Sequence, residues 1–256
     1  MTATDPTGGE HPRSFGDRLR DALAFLTPLA RTTTPPSPET MACFPIVGAG
    51  IGLAEGIAWR GARQIWTPLT AAVVVVATDA AVTGALHLDG LADTADGLFA
   101  HVPAKSRLAI MAEPEVGTFG SIALLISVLG RAAALASMEP SPLLLAALSC
   151  ASRSVMVLGS RALPYAREEG LATPFLQPVV GSDRASQAAL AGLAGSAIVA
   201  TVAHGRRGLF GVLAGVGAGG AVLIAARRRI GGFTGDVLGA AGQACETIGL
   251  VATARR

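Results

Sequence analysis

Long apolar segments are the feature of this sequence that most limits how the chain can fold. A helix needs roughly 20 mostly apolar residues to cross a membrane, because the hydrocarbon core of a bilayer is about 30 Å thick. One weak segment, Val237–Thr253, and six stronger ones approach this length: Met41–Trp59, Leu69–Leu86, Phe119–Met138, Leu143–Ser160, Ala188–Ala203 and Leu209–Ala226. The sequence therefore predicts an all-α, polytopic membrane helical bundle with about six or seven transmembrane helices.

The composition supports the lipid bilayer as a partner. Only 15% of the residues are charged, whereas about 25% is usual in soluble domains. The 32 glycines are typical of membrane bundles, since small residues let helices approach closely. The basic clusters are scattered and no aromatic platform accompanies them, which excludes nucleic acid as a partner. The sequence leaves open whether the chain forms a homo-oligomer.

The first 38 residues differ from the rest of the chain. Asp17–Leu29 is too short and too charged to span a membrane, and its pattern predicts an interfacial amphipathic helix. Thr, Pro and Gly before Phe15 predict a mobile start, and Thr32–Pro38 reads as a linker. We therefore divide the chain into a mobile N-terminus with a short helix, residues 1–38, and an integral membrane domain, residues 39–256.

The distribution of Lys and Arg predicts the orientation. Short cytoplasmic loops carry an excess of these residues. Arginines in the N-terminal region and in three later segments favour a cytoplasmic location for residues 87–118, 161–187 and 227–236. Two pairs of arginines then lie on the opposite side of the membrane, Arg60/Arg63 and Arg206/Arg207. The orientation therefore depends on the larger number of basic residues in the segments assigned to the cytoplasm. The prediction is a multi-pass protein of the cell inner membrane with its polar segments on the cytoplasmic face.

Three aspartates lie within eight residues of a mostly apolar chain, in the segment HLDGLADTADG at 87–97. Asp89, Asp93 and Asp96 are spaced i, i+4 and i+7, which places them on one face of a helix, within an arc of roughly 60°. Such a cluster repels itself unless a cation neutralises it. Mg²⁺ commonly takes one or two carboxylates and completes its shell with water and substrate phosphates. The cluster predicts Mg²⁺ and a phosphate or diphosphate substrate, although aspartates also form turns and cap helices.

Two further parts of the chain carry candidate site residues, and residues 161–187 and 227–236 are predicted on the same membrane face as the aspartates, whereas Arg153 lies inside an apolar hairpin. The first, GGFTGD at 231–236, could bind phosphate through backbone N–H groups, with Thr234, Gly235 and Asp236 as candidates. The second contains Arg153 and Arg167 as candidates for binding substrate. Arg153 could equally form a salt bridge to a buried acid such as Asp79, and Arg131 has the same two interpretations. His87 is interpreted as a hydrogen-bonding residue at the membrane edge, and Lys105 and Arg107 as surface charges.

Five motifs of the chain resemble those of the adenosylcobinamide-GDP ribazoletransferase family, also called cobalamin 5′-phosphate synthase. They occur in the family's order and extend from about Phe44 to the C-terminus. The run MAEPE lacks the basic residue that the family commonly has after the methionine, and Glu113 could replace the family's acidic residue as a metal ligand. The motifs are HLDGLADTADG (87–97), MAEPEVGTFG (111–120), SR (152–153), YAREEGL (165–171) and GGFTGDVLGA (231–240).

The resemblance implies an integral membrane, Mg²⁺-dependent enzyme of late cobalamin assembly. It would join adenosylcobinamide-GDP to α-ribazole or α-ribazole 5′-phosphate and release GMP. In this reaction we expect metal binding and catalysis by the cluster of Asp89, Asp93 and Asp96, with Asp96 as a candidate acceptor of the ribazole hydroxyl proton.

Three other functions fit the apolar spans and the acidic cluster. A CDP-alcohol phosphotransferase of lipid synthesis has similar chemistry, but the segment starting at Asp89 lacks the arginine of that family's motif and spaces its aspartates differently. A polyprenyl-diphosphate transferase is a further enzymatic possibility. A small-molecule or ion transporter could line a pathway with membrane acids, although these acids cluster near one face.

Overall fold

The computed structural model describes residues 14–29, 38–167 and 183–254. These residues form α-helices and one short 3₁₀ segment, Pro38–Cys43, and contain no β-strand. The all-α membrane fold predicted from the sequence is confirmed. The helices are α1 (Phe15–Leu26), α2 (Phe44–Ile65), α3 (Pro68–Val82), α4 (Leu86–Phe99), α5 (Ala104–Ile110), α6 (Thr118–Ala136), α7 (Pro142–Ala162), α8 (Arg184–Ile230) and α9 (Gly235–Thr253).

Helix α8 is a hairpin of two antiparallel arms. Its backbone is non-helical at His204 and Gly205, and Gly205 has φ of 58°. A Cβ at Gly208 would overlap the Ala200 carbonyl oxygen, although eight residues of continuous helix would separate the two residues by about 12 Å. The sequence placed the end of one span at Ala203 and the start of the next at Leu209, and the observed break agrees with that prediction.

Helix α3 ends earlier than the sequence predicts. The apolar segment Leu69–Leu86 reads as one span, but α3 stops at Val82 and α4 leaves at an angle of 89°. Gly84 and Ala85 form the corner with φ of 59° and 56°. The left-handed conformation ends a helix, and hydropathy carries no information about it. The last residues of the predicted span therefore begin a separate helix.

By length and composition, four helical segments of the described chain could cross a membrane, or five if the bent pair α3–α4 counts as one span. The α8 hairpin counts once in this number. The number is lower than the predicted six or seven, and α9 is not included in it. The apolar helices nevertheless indicate a multi-pass membrane protein. The four segments are Pro38–Ile65, Thr118–Ala136, Pro142–Ala162 and Arg184–Ile230.

The centre of the bundle consists of α7 surrounded by α2, α8 and α9. Glycines allow these helices to touch. A Cβ at Gly215 would lie 2.5 Å from the Cys245 carbonyl oxygen, and one at Gly48 would lie 2.6 Å from that of Ser149. The three cysteines are free thiols, and two of them are buried. Small residues thus serve close helix packing here, as expected for membrane bundles.

A network of charged side chains is buried in this bundle. Arg131 pairs with Asp79, and a second guanidinium nitrogen of Arg131 lies 3.6 Å from a carboxylate oxygen of Glu246. Arg153 pairs with the other oxygen of Glu246 and donates to the Ser152 hydroxyl at 3.1 Å. All of these ionic side chains are at most 7% exposed. The network ties α3, α6, α7 and α9 together.

Helix α1 packs against the bundle by one face. Its N-terminus has a capping box formed by Ser14 and Asp17. Ala22 and Leu26 are fully buried, and Arg18 forms a salt bridge of 2.9 Å with Glu39. The predicted amphipathic helix is therefore present, from Phe15 rather than Asp17. The predicted mobile start before Ser14 and most of the predicted linker lie outside the described residues.

Candidate active site

The three aspartates lie on α4, as the sequence predicts. All positions from Leu86 to Phe99 are helical, so the spacing of Asp89, Asp93 and Asp96 places them on one side of the helix. Asp89 is exposed, and Asp93 and Asp96 are half-buried. Helix α4 packs mainly against α9 and α6.

Two arginines hold the C-terminal end of α4. Arg107 Nη1 donates to the carbonyl oxygens of Gly97 and Leu98, at 3.0 and 2.6 Å. Arg229 also donates to the Leu98 carbonyl, and its guanidinium lies 5.4 Å from the centre of the Phe99 ring. Cations at a helix C-terminus are stabilising. The interpretation of Arg107 as an ordinary surface charge is therefore wrong, because its side chain is partly buried and binds the end of α4.

Asp96 caps the N-terminus of α6. Its two carboxylate oxygens accept hydrogen bonds from the backbone N–H groups of Gly117, at 2.7 Å, and Gly120, at 2.9 Å. A Cβ at Gly117 would lie 2.5 Å from an Asp96 oxygen, so the approach requires glycine there. These contacts give the glycines of the MAEPEVGTFG segment a role that the sequence analysis missed. Asp96 therefore acts as a capping residue for the N-terminus of α6 in this structure.

The capping contact predicts different results for two variants. Asp96→Ala should lower the free energy of unfolding by about 1–2 kcal/mol, because an N-terminal cap is worth about that much. Asp96→Asn keeps an accepting oxygen and should lose much less stability. Thermal unfolding of the purified variants in detergent would measure both. If Asn and Ala were equally inactive with wild-type stability, Asp96 would act as a ligand or base and not as a cap.

A backbone bridge brings the second and third predicted segments together. Phe233 N–H donates to the Pro164 carbonyl at 2.9 Å, and Ala166 N–H donates to the Phe233 carbonyl at 2.8 Å. As a result Arg167 forms a salt bridge of 3.0 Å with Asp236. Arg167 also donates to the Met111 carbonyl at 3.2 Å. Arg167 and Asp236, predicted separately from sequence, are direct partners, while the remainder of the Arg167 motif, residues 168–171, lies outside the described residues.

Thr234 starts helix α9. Its side chain is fully buried, accepts a hydrogen bond from Val237 N–H at 3.3 Å and donates to Asp236 at 3.2 Å. Thr234 is therefore the N-cap of α9, and Gly235 and Asp236 are its first-turn residues. The N-terminus of a helix carries a partial positive charge that favours anions. The predicted phosphate cradle thus coincides with a helix N-terminus beside Arg167.

The aspartate face of α4 lies against this helix start. A Cβ at Gly90 would come within 2.8 Å of the Asp236 carbonyl oxygen, so only glycine permits the contact. The negative charges of Asp89, Asp96 and Asp236 all act on Asp93, together with the positive charge of Arg167. Burial raises the pKa of Asp236, and the Arg167 guanidinium opposes that effect. The geometry therefore assembles a cluster of carboxylates with one paired cation.

The donor set is compatible with Mg²⁺ but not with a closed protein cage. Among the described residues, no three His, Cys, Asp or Glu side chains come together closely enough to enclose a metal ion. Glu113 is exposed in the turn after α5, and Asp96 is bound to α6. Mg²⁺ requires only one or two protein carboxylates when water and phosphate oxygens fill the remaining positions. Asp89 and Asp93 provide such a pair, and the predicted ligand set of four is not gathered at one point.

Arg153 lies outside this cluster. It is 2% exposed, and its partner is Glu246. The salt-bridge interpretation left open by the sequence therefore describes its state here, with a different acid from Asp79, which pairs with Arg131 instead. Binding of substrate by Arg153 stays a prediction and would require the guanidinium to exchange partners.

Comparisons with known proteins agree with the resemblance seen in the motifs. The family model described as cobalamin-5-phosphate synthase matches residues 18–254. An adenosylcobinamide-GDP ribazoletransferase of Syntrophobacter fumaroxidans is 36% identical over 94% of this chain and 97% of its own length. Enzymes of the same name from Rhizobium etli and Escherichia coli are 40% and 35% identical, each over 82% of this chain and 84% and 85% of their own lengths. No solved structure matches the chain.

The match covers every element that forms the candidate site, from α4 to α9. The relatives carry the name of an enzyme, which favours a transferase over a transporter. The chain therefore belongs to the cobalamin-5-phosphate synthase family and is a membrane transferase of cobalamin biosynthesis.

Proposed function

We propose that this enzyme transfers the adenosylcobinamide phosphate of adenosylcobinamide-GDP to a hydroxyl of α-ribazole or α-ribazole 5′-phosphate. The products would be adenosylcobalamin or its 5′-phosphate, and GMP. The observation that carries the proposal is the meeting of the α4 aspartates with Arg167 and the N-terminus of α9. This arrangement combines carboxylates that suit a divalent cation with two groups that suit phosphate.

Each group has a role in this reaction. Arg167 and the α9 N-terminus would bind and orient the phosphates of the donor. Asp89 and Asp93 would hold Mg²⁺, which neutralises diphosphate charge and favours departure of the nucleotide when it is bound. We assign the acceptance of the hydroxyl proton to Asp236 rather than Asp96, because both oxygens of Asp96 accept hydrogen bonds from the start of α6, whereas Asp236 lies beside Arg167 at the start of α9.

The bonds balance without any further reactant. The ribazole oxygen forms a bond to the phosphorus next to the cobinamide, and the bond from that phosphorus to the bridging oxygen of GMP breaks. The electron pair of the broken bond leaves with GMP, and the hydroxyl proton moves to the Asp236 carboxylate. The protein's contribution is positioning and electrostatic stabilisation, as in other phosphoryl transfers.

GMP release by detergent-purified protein tests the proposal. We expect release that requires adenosylcobinamide-GDP, the ribazole and Mg²⁺ together, that stops with EDTA and that returns when Mg²⁺ is restored. Omission of the ribazole distinguishes transfer from hydrolysis of the donor. Folded protein that releases no GMP under these conditions would refute the proposed reaction.

We also propose that the site faces the cytoplasm, at the inner membrane. The support is the accumulation of Lys and Arg in the segments that carry it, since cytoplasmic loops are rich in these residues. Lys105 is exposed next to α4. An amine reagent that cannot cross the inner membrane should therefore label Lys105 in inverted vesicles. It should not label Lys105 in cells whose outer membrane is permeabilised and whose inner membrane is intact. Labelling of Lys105 in those cells would contradict the proposal and place the site on the opposite side of the membrane.

A further inference from the structure

A largely enclosed cavity of about 230 Å³ lies beside the candidate active site. Four aromatic rings contribute to its wall. Phe25 and Phe44 stack with ring centres 5.7 Å apart, and Tyr165 and Phe233 meet edge to face at 5.3 Å. Met41 and Met156 add thioether groups, which make favourable contacts with aromatic rings. The cavity therefore suits a flat, apolar ring system.

One end of the cavity is polar and belongs to the active site. Arg167, Gly235 and Asp236 line it. A molecule with an apolar ring in the cavity would consequently place its substituents among the groups that the proposed reaction uses. This arrangement is typical of sites that combine an apolar body with a few convergent polar groups.

His87 is a polar residue of the cavity wall in addition to those at the active-site end; the Ser160 hydroxyl, which also lines the cavity, already donates to the Val157 carbonyl at 2.8 Å. The His87 side chain is 4% exposed, it lines the cavity, and its Nε2 atom has no hydrogen-bond partner among the described residues. Buried polar atoms in proteins are nearly always hydrogen-bonded, and an exception calls for a specific explanation. Nε2 is itself shielded from the cavity space, so a ligand atom would supply the missing partner once the imidazole turns toward it.

We propose that this cavity binds the aromatic base of the acceptor nucleoside, with His87 Nε2 hydrogen-bonded to it. The inference rests on the proposed function, because it assigns the subsite of the ribazole substrate. The ribose would then lie at the polar end, with its hydroxyl near Asp236. The wall formed by Phe25 gives α1 a role in substrate binding that its amphipathic pattern does not indicate.

The chemistry of the cavity distinguishes among the ring systems of the two substrates. A corrinoid macrocycle is too large for it. Guanine carries several donors and acceptors along its edges, and an apolar wall would leave most of them unpaired at a cost in affinity. The dimethylbenzimidazole of ribazole carries two methyl groups and a single free ring nitrogen. One buried imidazole in a mostly apolar wall, with the Ser160 hydroxyl already hydrogen-bonded, matches that pattern.

Steady-state kinetics of two His87 variants test the assignment. His87→Leu should raise KM for α-ribazole about tenfold, the effect of losing one hydrogen bond in a buried site, and leave KM for adenosylcobinamide-GDP unchanged. His87→Gln keeps a donor and should recover most of the loss. A purely structural histidine would lower the amount of folded protein without changing one KM selectively. Equal changes in both KM values would overturn the assignment.

Equilibrium binding of labelled α-ribazole to the full chain, without donor, separates this inference from the proposed reaction. Free dimethylbenzimidazole should compete for binding, and guanosine should not. Ala24→Phe, which fills the cavity from α1, should weaken binding at least as much as His87→Leu and serves where the histidine variant does not fold. Wild-type protein that binds α-ribazole without releasing GMP would refute the reaction and keep the subsite. Ribazole-dependent GMP release with unchanged α-ribazole binding in both variants would refute the subsite alone.

Discussion

Asp93→Asn should reduce GMP release at least about a hundredfold, the loss typical of removing one preorganised electrostatic group from an active site. Asp93 lies where the charges of Asp89, Asp96, Asp236 and Arg167 all act. Asparagine has nearly the same shape as aspartate but no charge, so the variant removes one carboxylate from the pair proposed to hold Mg²⁺. The remaining activity should require a higher concentration of Mg²⁺. The measurement is the GMP release assay over a series of Mg²⁺ concentrations.

Glu115→Gln provides the matched control. Glu115 is exposed in the loop before α6, and the substitution also replaces a carboxylate by an amide. It should leave GMP release within about twofold of wild type, because screened surface charges interact weakly. Turnover of Asp93→Asn close to wild type at saturating Mg²⁺ would contradict the proposed metal-binding role. Loss of turnover without any change in the Mg²⁺ requirement would assign Asp93 to another step.

Length and hydropathy predicted most of the helices, because a span must bury its backbone groups in an apolar segment. They also located the break in α8 to within a few residues. They failed at the corner between α3 and α4. The corner at Gly84 and Ala85 lies within a mostly apolar segment, and the left-handed φ of Ala85 is a backbone property that residue hydropathy does not encode. A hydropathy pattern contains no signal for such a turn.

The candidate site was predicted in part, and the division has a physical reason. Helical spacing is local, so the common face of the α4 aspartates follows from the sequence alone. The partners of Arg107 and Asp96 depend on which helices meet, and sequence spacing does not fix that. Asp96 contacts residues 21 and 24 positions later. Residue type indicated that charges were present, and tertiary structure decided which of them cap helices.

The ionic network in the bundle gives the second large prediction. Arg131→Met should lower the free energy of unfolding by about 3–5 kcal/mol, because removal of one partner leaves uncompensated buried charge. Arg131 interacts with Asp79 and Glu246 and is 3% exposed. In its absence these two carboxylates, and the buried Glu55 near Asp79, would face Arg153 as the remaining cation of the network. Thermal unfolding of detergent-purified protein measures the loss.

Arg63→Met makes the same chemical change in a partly exposed pair, in which the Arg63 side chain is 21% exposed. Arg63 lies 3.5 Å from Glu139, whose side chain is 89% exposed, and such pairs contribute about 0–1 kcal/mol. Adding Asp79→Asn to Arg131→Met should recover part of the stability, because the double variant removes both charges of one pair. If Arg131→Met were no more harmful than Arg63→Met, the network would have to be hydrated or differently paired in the membrane. A recovery of stability in the double variant would show that charge balance, rather than the shape of arginine, stabilises the packing of α3 against α6.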